Sequence, residues 1–453
     1  MKGLFVLLIL GCGPVLLHPL PAAERPNVLV ILADQWRAQA LGYAGDGNVR
    51  TPHLDTLQRC SVTGTHMIST IPVCTPMRAS FFTGQRALTH GLFVNDVQLS
   101  PDAETIAKVF SRAGYDTGFI GKWHVDGRGR SAFIPRERRQ GFDYWKALEC
   151  THAYNRSYYY ADTPDKKQWP GYDAVEQTAD AQSYLHARAE SEKPFFLVLS
   201  WGPPHDPYQT APERYRAMYA AEKIELRPNV PKALRDHARK ALAGYYAHCT
   251  ALDDCVGQLV QTLQETGLAE NTVLLFTADH GDLLGSHGAF NKQQPFDESI
   301  RVPLLVHWPK GLGVQPRVVD GVMTSEDLMP TLLGLAGVPI PASVEGVDFS
   351  GYLRGGPNPT DGAALFACIT PFGQWERRVG GREFRGLRTR RHTYVRDLNG
   401  PWLLFDNESD PYQMHNLIND PAHRALQAAL DAALQKKLVA AKDDFRPGDS
   451  YVR

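Results

Sequence analysis

Four short groups of polar and charged residues follow apolar runs of the sequence, and their side chains could act together in one reaction. They are Asp34-Gln35, Gly121-Lys122-Trp123-His124, Gly202-Pro203-Pro204-His205 and Asp279-His280-Gly281-Asp282. Taken singly, an aspartate after a strand is most often a helix cap, and a lone histidine is most often structural. Four such groups in one chain instead predict a shared site.

Part of this set suits a hard divalent cation. Asp34, Gln35, Asp279 and His280 offer oxygen ligands together with one imidazole. Zn²⁺ sites favour cysteine and histidine, whereas Ca²⁺ and Mg²⁺ take oxygen ligands. We therefore predict a site for a hard divalent cation, Ca²⁺ or Mg²⁺.

The rest of the set supplies positive charge and proton donors. It consists of Lys122, His124, His205 and, from a later segment, Lys292. A cation and several positive side chains in one pocket are what a tetrahedral oxyanion such as sulfate or phosphate requires. The whole chain shows no such excess of base, because 48 Lys and Arg face 49 Asp and Glu. That balance argues against nucleic-acid binding.

The apolar runs that precede these groups predict buried strands. They cover residues 27–33, 117–120, 194–201, 272–278 and 302–308, and their continuous hydrophobicity is typical of a parallel sheet. Helical patterns lie between them, at residues 100–114, 172–188, 234–268 and 325–336. This alternation predicts an open α/β sheet with helices on both faces, in which ligands bind beyond the carboxyl ends of the strands.

The two ends of the chain differ from this central part. Lys2, the apolar residues that follow it and Ala22-Ala23 are typical of a secretory signal over residues 1–23. They predict export to the periplasm or the cell exterior, with lipid anchoring through Cys12 as a minor alternative. No later run is long enough for stable membrane insertion. We assign residues 24–341 to a catalytic domain and residues 342–453 to a small α+β subdomain, with short antiparallel strands and a final helix at 421–442.

One stretch links these observations to a known family. Cys74-Thr75-Pro76-Met77-Arg78, followed by Thr83-Gly84, resembles the signature of the type I sulfatases of the alkaline phosphatase superfamily. The four polar groups follow that family's order, and the resemblance covers nearly the whole mature chain. It implies a three-layer α/β/α fold with a central, mostly parallel sheet. Two positions depart from the pattern: Gln35 replaces an aspartate found in many members, and Met77 stands where serine or alanine is common.

The resemblance also implies a role for each residue. Cys74 would be oxidised to formylglycine by a formylglycine-generating or anaerobic maturation enzyme. Arg78 would stabilise the hydrated aldehyde, and His124 would exchange a proton with its second hydroxyl. Cation binding would fall to Asp34, Gln35, Asp279 and His280 together with residue 74, and sulfate binding to Lys122, His205 and Lys292.

We therefore expect a sulfatase that hydrolyses sulfate monoesters. The export signal and a polar, aromatic insertion at residues 147–173 favour a sulfated carbohydrate as substrate. Two alternatives stay open. One is a phosphonate or phosphate ester hydrolase of the same superfamily, and the other is a noncatalytic glycan-binding pseudoenzyme, if Cys74 is not matured.

Overall fold

A computed structural model describes residues 25–451 of the chain, so the predicted signal segment and Cys12 lie outside the described residues. The strands are β1 Asn27–Asp34, β2 Val62–Ile68, β3 Asp116–Lys122, β4 Tyr144–Leu148, β5 Tyr158–Tyr159, β6 Lys167–Gln168, β7 Phe195–Pro204, β8 Thr272–Ala278, β9 Arg301–His307, β10 Arg317–Thr324, β11 Ala363–Cys368, β12 Phe384–Thr389, β13 His392–Asp397 and β14 Gly400–Asp406.

The helices cover the sheets and connect the strands. They are α1 Pro52–Gln58, α2 Cys74–Thr83, α3 Ala87–His90, α4 Ile106–Arg112, α5 Asp173–Arg188, α6 Glu213–Arg216, α7 Arg235–Glu265, α8 Asp297–Ile300, α9 Pro309–Leu312, α10 Leu328–Leu335, α11 Ser350–Leu353 and α12 Arg424–Ala440. In the part of the chain that the structure describes, no helix has the length and apolar character needed to cross a membrane.

Eight strands form the central sheet, in the order β10-β2-β9-β8-β1-β7-β3-β4. Five of its seven pairings are parallel, which confirms the mostly parallel sheet. The other two involve β9, which runs antiparallel to both β2 and β8. The expectation that residues 302–308 form a parallel strand is therefore wrong, because continuous hydrophobicity reports burial on both faces and not strand direction.

The register of β1 determines where the polar groups meet. Ala33 of β1 lies beside Ala278 of β8, and Asp34 lies beside Pro204 of β7. The residues that follow these strands therefore emerge at one edge of the sheet, as predicted. From Val28 to Asp34 every β1 side chain is buried, so the strand is held from both faces.

The helix predicted at 100–114 is shorter than expected. α4 begins at Ile106, and Thr105 caps it by accepting a hydrogen bond from the Lys108 backbone N–H at 3.5 Å. Ser100 and Pro101 precede it as a turn, because a Ser-Pro pair is as compatible with a turn as with a helix start. The helices predicted near residues 172, 234, 325 and 421 are present as α5, α7, α10 and α12.

The C-terminal part carries its own sheet. β11 to β14 form a four-stranded antiparallel sheet in sequential order, which confirms the predicted short strands. α12 packs Leu430, Leu434 and Leu438 against Leu387 and Tyr394 of that sheet. The division of the chain at residue 341 stays a prediction.

Candidate active site

Cys74 is the first residue of α2 and lies at the centre of the candidate site. Its side chain is 1% exposed, and its Sγ is 3.3 Å from Nε2 of His280 and 3.8 Å from Oδ1 of Asp34. The ammonium groups of Lys292 and Lys122 lie 3.4 Å and 3.6 Å from the same sulfur. Burial opposes ionisation, but these cations hold the pKa of the Cys74 thiol well below its usual range. The position is therefore prepared to carry negative charge.

Arg78 lies one helical turn after Cys74, on the same face of α2. Its guanidinium is fully buried and donates to Oδ2 of Asp279 at 3.1 Å and Oδ2 of Asp34 at 3.2 Å. It also donates to the Lys122 carbonyl at 2.8 Å and to the Ser200 hydroxyl at 2.7 Å. Arg78 thus ties the ends of β1 and β3, the middle of β7 and the residue after β8 to the helix that begins at residue 74.

Four ligand-bearing side chains form a compact group that fits a divalent cation. The ligand atoms of Asp34, Cys74, Asp279 and His280 all lie within 4.8 Å of one another, and all four residues are buried. Burial and the neighbouring Asp34 carboxylate raise the pKa of Asp279, which shows that negative charges are crowded here. A hard cation would relieve that repulsion, so the donor set fits the predicted ion.

Gln35 lies beside this group in a strained backbone conformation, with φ at 68°. Its side-chain oxygen accepts a hydrogen bond from Lys292 at 2.9 Å, and its amide donates to Asp282 at 2.7 Å. Its backbone N–H donates to Oδ1 of Asp279 at 3.0 Å. The structure therefore places Gln35 between the cation group and Lys292, and its predicted part in cation binding stays a prediction.

The predicted positive residues converge on the same point. Lys122 forms a buried ion pair with Asp34. Lys292 Nζ lies 2.8 Å from Nε2 of His205, whose Nδ1 lies 2.9 Å from the Asp206 carbonyl oxygen. Cys74 thus faces two buried ammonium groups, one of which also contacts a histidine.

His124 is held by a residue that the sequence reasoning missed. Its Nε2 lies 3.1 Å from Oδ1 of Asp96, and its buried Nδ1 has no hydrogen-bond partner among the described residues. Burial lowers the basicity of the imidazole, but the bond to Asp96 raises the pKa of His124 to about 9. Asp96 is itself anchored by Arg130 at 2.8 Å. It lies in a loop far from any predicted strand end, so no sequence signal pointed to it.

His152 is a second missed residue. Its ring stacks on that of His205, with centroids 4.8 Å apart and planes 9° apart. His152 belongs to the insertion at residues 147–173, which is rich in aromatic residues. Two of these, Tyr159 and Trp169, stack with their ring centroids 4.1 Å apart. The insertion therefore contacts the site through the imidazole ring of His152, which stacks on His205.

The arrangement can carry out one kind of chemistry well. A nucleophile at position 74 would be activated by nearby positive charge, and the same cations could bind the oxygens of a tetrahedral anion. The six cysteines of the described residues, Cys74 included, are all unpaired, so no disulfide consumes this side chain.

Comparisons with known proteins agree with this geometry. A family model described as Sulfatase matches residues 26–338, and one described as N-sulphoglucosamine sulphohydrolase, C-terminal, matches residues 285–440. An ulvan-active sulfatase of Formosa agariphila is 44% identical over 95% of this chain and 84% of its own length. An endo-4-O-sulfatase of Bacteroides thetaiotaomicron is 30% identical over 87% of this chain and 88% of its own length.

A solved structure shows the same architecture. The protein of Bacteroides fragilis that bears the sulfatase name YidJ superposes with a TM-score of 0.85 at 29% identity. The match covers 95% of this chain and 98% of that one, so it includes both the central sheet and the C-terminal sheet.

Proposed function

Because the chain belongs to the sulfatase family and is a sulfate ester hydrolase, we propose that it removes sulfate from carbohydrate with a formylglycine at position 74. The observation that carries the proposal is the surroundings of Cys74, whose sulfur faces His280, Lys292 and Lys122 within 3.6 Å. A structural cysteine would not need three cationic or imidazole neighbours in a buried site.

The carbohydrate substrate rests on two supports. The relative at 44% identity is named for activity on ulvan. The aromatic insertion reaches the site through His152 and exposes Tyr158, which is 40% accessible. A polar and aromatic wall of this kind suits a sugar ring. We propose export to the periplasm or beyond on the basis of the predicted signal, since such substrates lie outside the cell.

In the proposed reaction, the nucleophile is a hydroxyl of the formylglycine hydrate and not the Cys74 thiol. In the hydrate of formylglycine, one hydroxyl oxygen attacks sulfur and the bond between sulfur and the ester oxygen breaks, which releases the alcohol with a proton. The second hydroxyl then loses its proton, the aldehyde carbonyl re-forms, and the bond from its carbon to the sulfate oxygen breaks. Sulfate leaves, and water regenerates the hydrate.

The position of each residue in the site suggests its role in these reaction steps. We propose that Asp34, Gln35, Asp279 and His280 hold Ca²⁺ together with residue 74, with Mg²⁺ less favoured. When bound, the ion would lower the pKa of the attacking hydroxyl and withdraw charge from the sulfate oxygens. Arg78 would hold the hydrate near the two aspartates that it already contacts.

We assign proton transfer to two pairs of residues, His124 with Asp96 and Lys292 with His205. His124, oriented by Asp96, would take the proton from the second hydroxyl. Lys292, which contacts both Cys74 and His205, would bind a sulfate oxygen and assist the leaving oxygen, and Lys122 would bind another sulfate oxygen.

The test compares ester classes in protein produced with a maturation enzyme. We expect kcat/KM for sulfated glycans and aryl sulfates to exceed that for matched phosphate and phosphonate esters, and Cys74→Ala to abolish turnover. Faster turnover of phosphonates would favour the related hydrolase activity instead. Glycan binding that survives Cys74→Ala, with an intact thiol in the native protein, would indicate the pseudoenzyme.

A further inference from the structure

Thr75 is the second residue of α2 and directly follows Cys74. Its side chain is fully buried, and its hydroxyl donates a hydrogen bond to the His124 carbonyl oxygen at 2.6 Å. A threonine inside a helix commonly bonds the carbonyl four residues earlier, as Thr83 at the end of α2 does with Ala79 at 2.7 Å. Thr75 lies in the first turn, where the helix offers no such carbonyl, so its hydroxyl is available to another segment.

His124 has a backbone conformation that needs support from its surroundings. Its φ is 60°, in the left-handed region that is unfavourable for residues with a Cβ atom. Among the described residues, the Thr75 hydroxyl is the only hydrogen-bond donor to the His124 carbonyl. The Thr75 side chain therefore helps to hold His124 in this conformation.

A second contact between these segments involves Asn95 and Asp96. Oδ1 of Asn95 accepts a hydrogen bond from the Thr75 backbone N–H at 3.0 Å. The next residue, Asp96, holds Nε2 of His124 at 3.1 Å. Thr75 therefore bonds the backbone of His124 and also contacts the neighbour of the residue that holds the His124 ring.

These contacts leave one nitrogen of His124 for residue 74. Nε2 is engaged by Asp96, whereas the buried Nδ1 has no hydrogen-bond partner among the described residues. Burial opposes a charge on the ring, but the bond to Asp96 and the adjacent Cys74 raise the pKa of His124, so the imidazole lies close to residue 74. A rotation of the His124 backbone would change the direction of Nδ1.

From these contacts we propose that Thr75 is a positioning residue for His124, and that its hydroxyl keeps Nδ1 directed at residue 74. The inference rests on the function proposed above, in which His124 takes the proton of the second hydroxyl of the hydrate. In that step the O–H bond breaks, the aldehyde carbonyl forms, and the bond from its carbon to the sulfate oxygen breaks. Loss of the Thr75 hydroxyl should therefore slow the release of sulfate and not the earlier release of the alcohol.

The test follows the first turnovers of 4-nitrophenyl sulfate by stopped flow in Thr75→Val, produced with a maturation enzyme. Valine has nearly the shape of threonine but lacks the hydroxyl. We expect a burst of 4-nitrophenol at the wild-type rate, followed by a steady state about tenfold slower than that of the wild type.

Rates are expressed per formylglycine, because Thr75 adjoins the cysteine that is converted. Mass spectrometry of the peptide that contains residue 74 measures the converted fraction. Thr75→Ala should show the same burst and the same slow steady state, and it replaces Thr75→Val if valine prevents folding or conversion.

Two variants serve as controls. Thr75→Ser keeps the hydroxyl and should have the steady-state rate of the wild type. Thr178→Val removes a hydroxyl that is equally buried and donates at the same distance of 2.6 Å, but to the Ala174 carbonyl within α5. It should show the kinetics of the wild type.

Three results would overturn the proposal. They are a wild-type steady-state rate in Thr75→Val, a burst slowed as much as the steady state, and a Thr75→Ser variant as slow as Thr75→Val. An inactive wild type that carries formylglycine would contradict the proposed function itself, and this inference with it.

Discussion

Lys292 Nζ lies 2.8 Å from Nε2 of His205, in a site where both side chains are 5% exposed. Since the ammonium group can only donate, Nε2 of His205 accepts and Nδ1 donates to the Asp206 carbonyl. Burial and the neighbouring Lys292 hold the pKa of His205 well below its usual range. His205 is therefore a neutral group in contact with Lys292, and we propose that it orients the lysine, which assists the leaving oxygen.

The first prediction distinguishes the proposed orienting role of His205 from proton donation by Lys292. Lys292→Met should reduce kcat for a sugar sulfate by about a hundredfold, because a sugar alkoxide is a poor leaving group and needs a proton. The loss should be smaller for 4-nitrophenyl sulfate, whose leaving group is stable as an anion. Steady-state kinetics on both substrates measures the ratio, with His205→Gln as the comparison. Equal losses on the two substrates in Lys292→Met would contradict the assignment.

The second prediction concerns the cation. Asp279→Asn should abolish stoichiometric Ca²⁺ binding and turnover, because it removes a charged ligand from a group whose atoms lie within 4.8 Å of one another. Elemental analysis of the purified protein and calorimetric titration with Ca²⁺ measure the effect.

Asp282→Asn provides the matched control. Asp282 is buried three residues later, but its carboxylate bonds Gln35 and Tyr208 and the backbone of Leu284 and Asn291. It should keep the ion. Loss of Ca²⁺ in both variants alike would show that the loop, and not the ligand set, had been damaged.

The third prediction follows from Asp96. Because its carboxylate raises the pKa of His124 to about 9, Asp96→Asn should lower that pKa. If His124 acts as a base, the rising limb of kcat/KM against pH should move to lower pH in the variant.

The pH profile of Arg130→Gln serves as the control. That change removes the Arg130 contact to Asp96 and leaves the carboxylate beside His124, so the limb should not move to lower pH. An unshifted limb in Asp96→Asn would remove His124 from the proton transfer.

The fourth prediction concerns the ion pair between Arg388 and Asp297, which links the C-terminal sheet to α8. Arg388 of β12 donates twice to the Asp297 carboxylate of α8, at 2.9 Å each, with exposures of 1% and 5%. Arg388→Met would leave that carboxylate with Arg301 alone and should lower the free energy of unfolding by about 3 kcal/mol. Arg390→Met, which breaks an exposed pair with Asp320, should lower the free energy of unfolding much less, because solvent screens that pair.

The effect should depend on pH in a defined direction. Burial opposes the charge, but Arg388 lowers the pKa of Asp297 below its unfolded value. The stabilisation is therefore complete above about pH 4 and is lost as the pH falls through the folded pKa. Urea unfolding at neutral and acid pH measures it, and a constant difference between wild type and Arg388→Met at all pH values would contradict the account.

The central site could be predicted because its residues follow buried strands. Asp34, Lys122 and Asp279 lie where β1, β3 and β8 end. The end of a buried strand can be predicted from the sequence, because the apolar run stops there. Cys74 could be found from its motif, although the helix that begins there could not.

Other features lie beyond sequence patterns. Asp96 and His152 reach the site from loops, and the direction of β9 depends on chain connectivity.

We propose that residue 74 is a formylglycine and acts as the nucleophile. Mass spectrometry of the peptide that contains residue 74, from active protein produced with a maturation enzyme, tests it most directly. We expect an oxygen in place of sulfur and two fewer hydrogens at that residue, with activity proportional to the converted fraction. An intact thiol at Cys74 in fully active protein would contradict it.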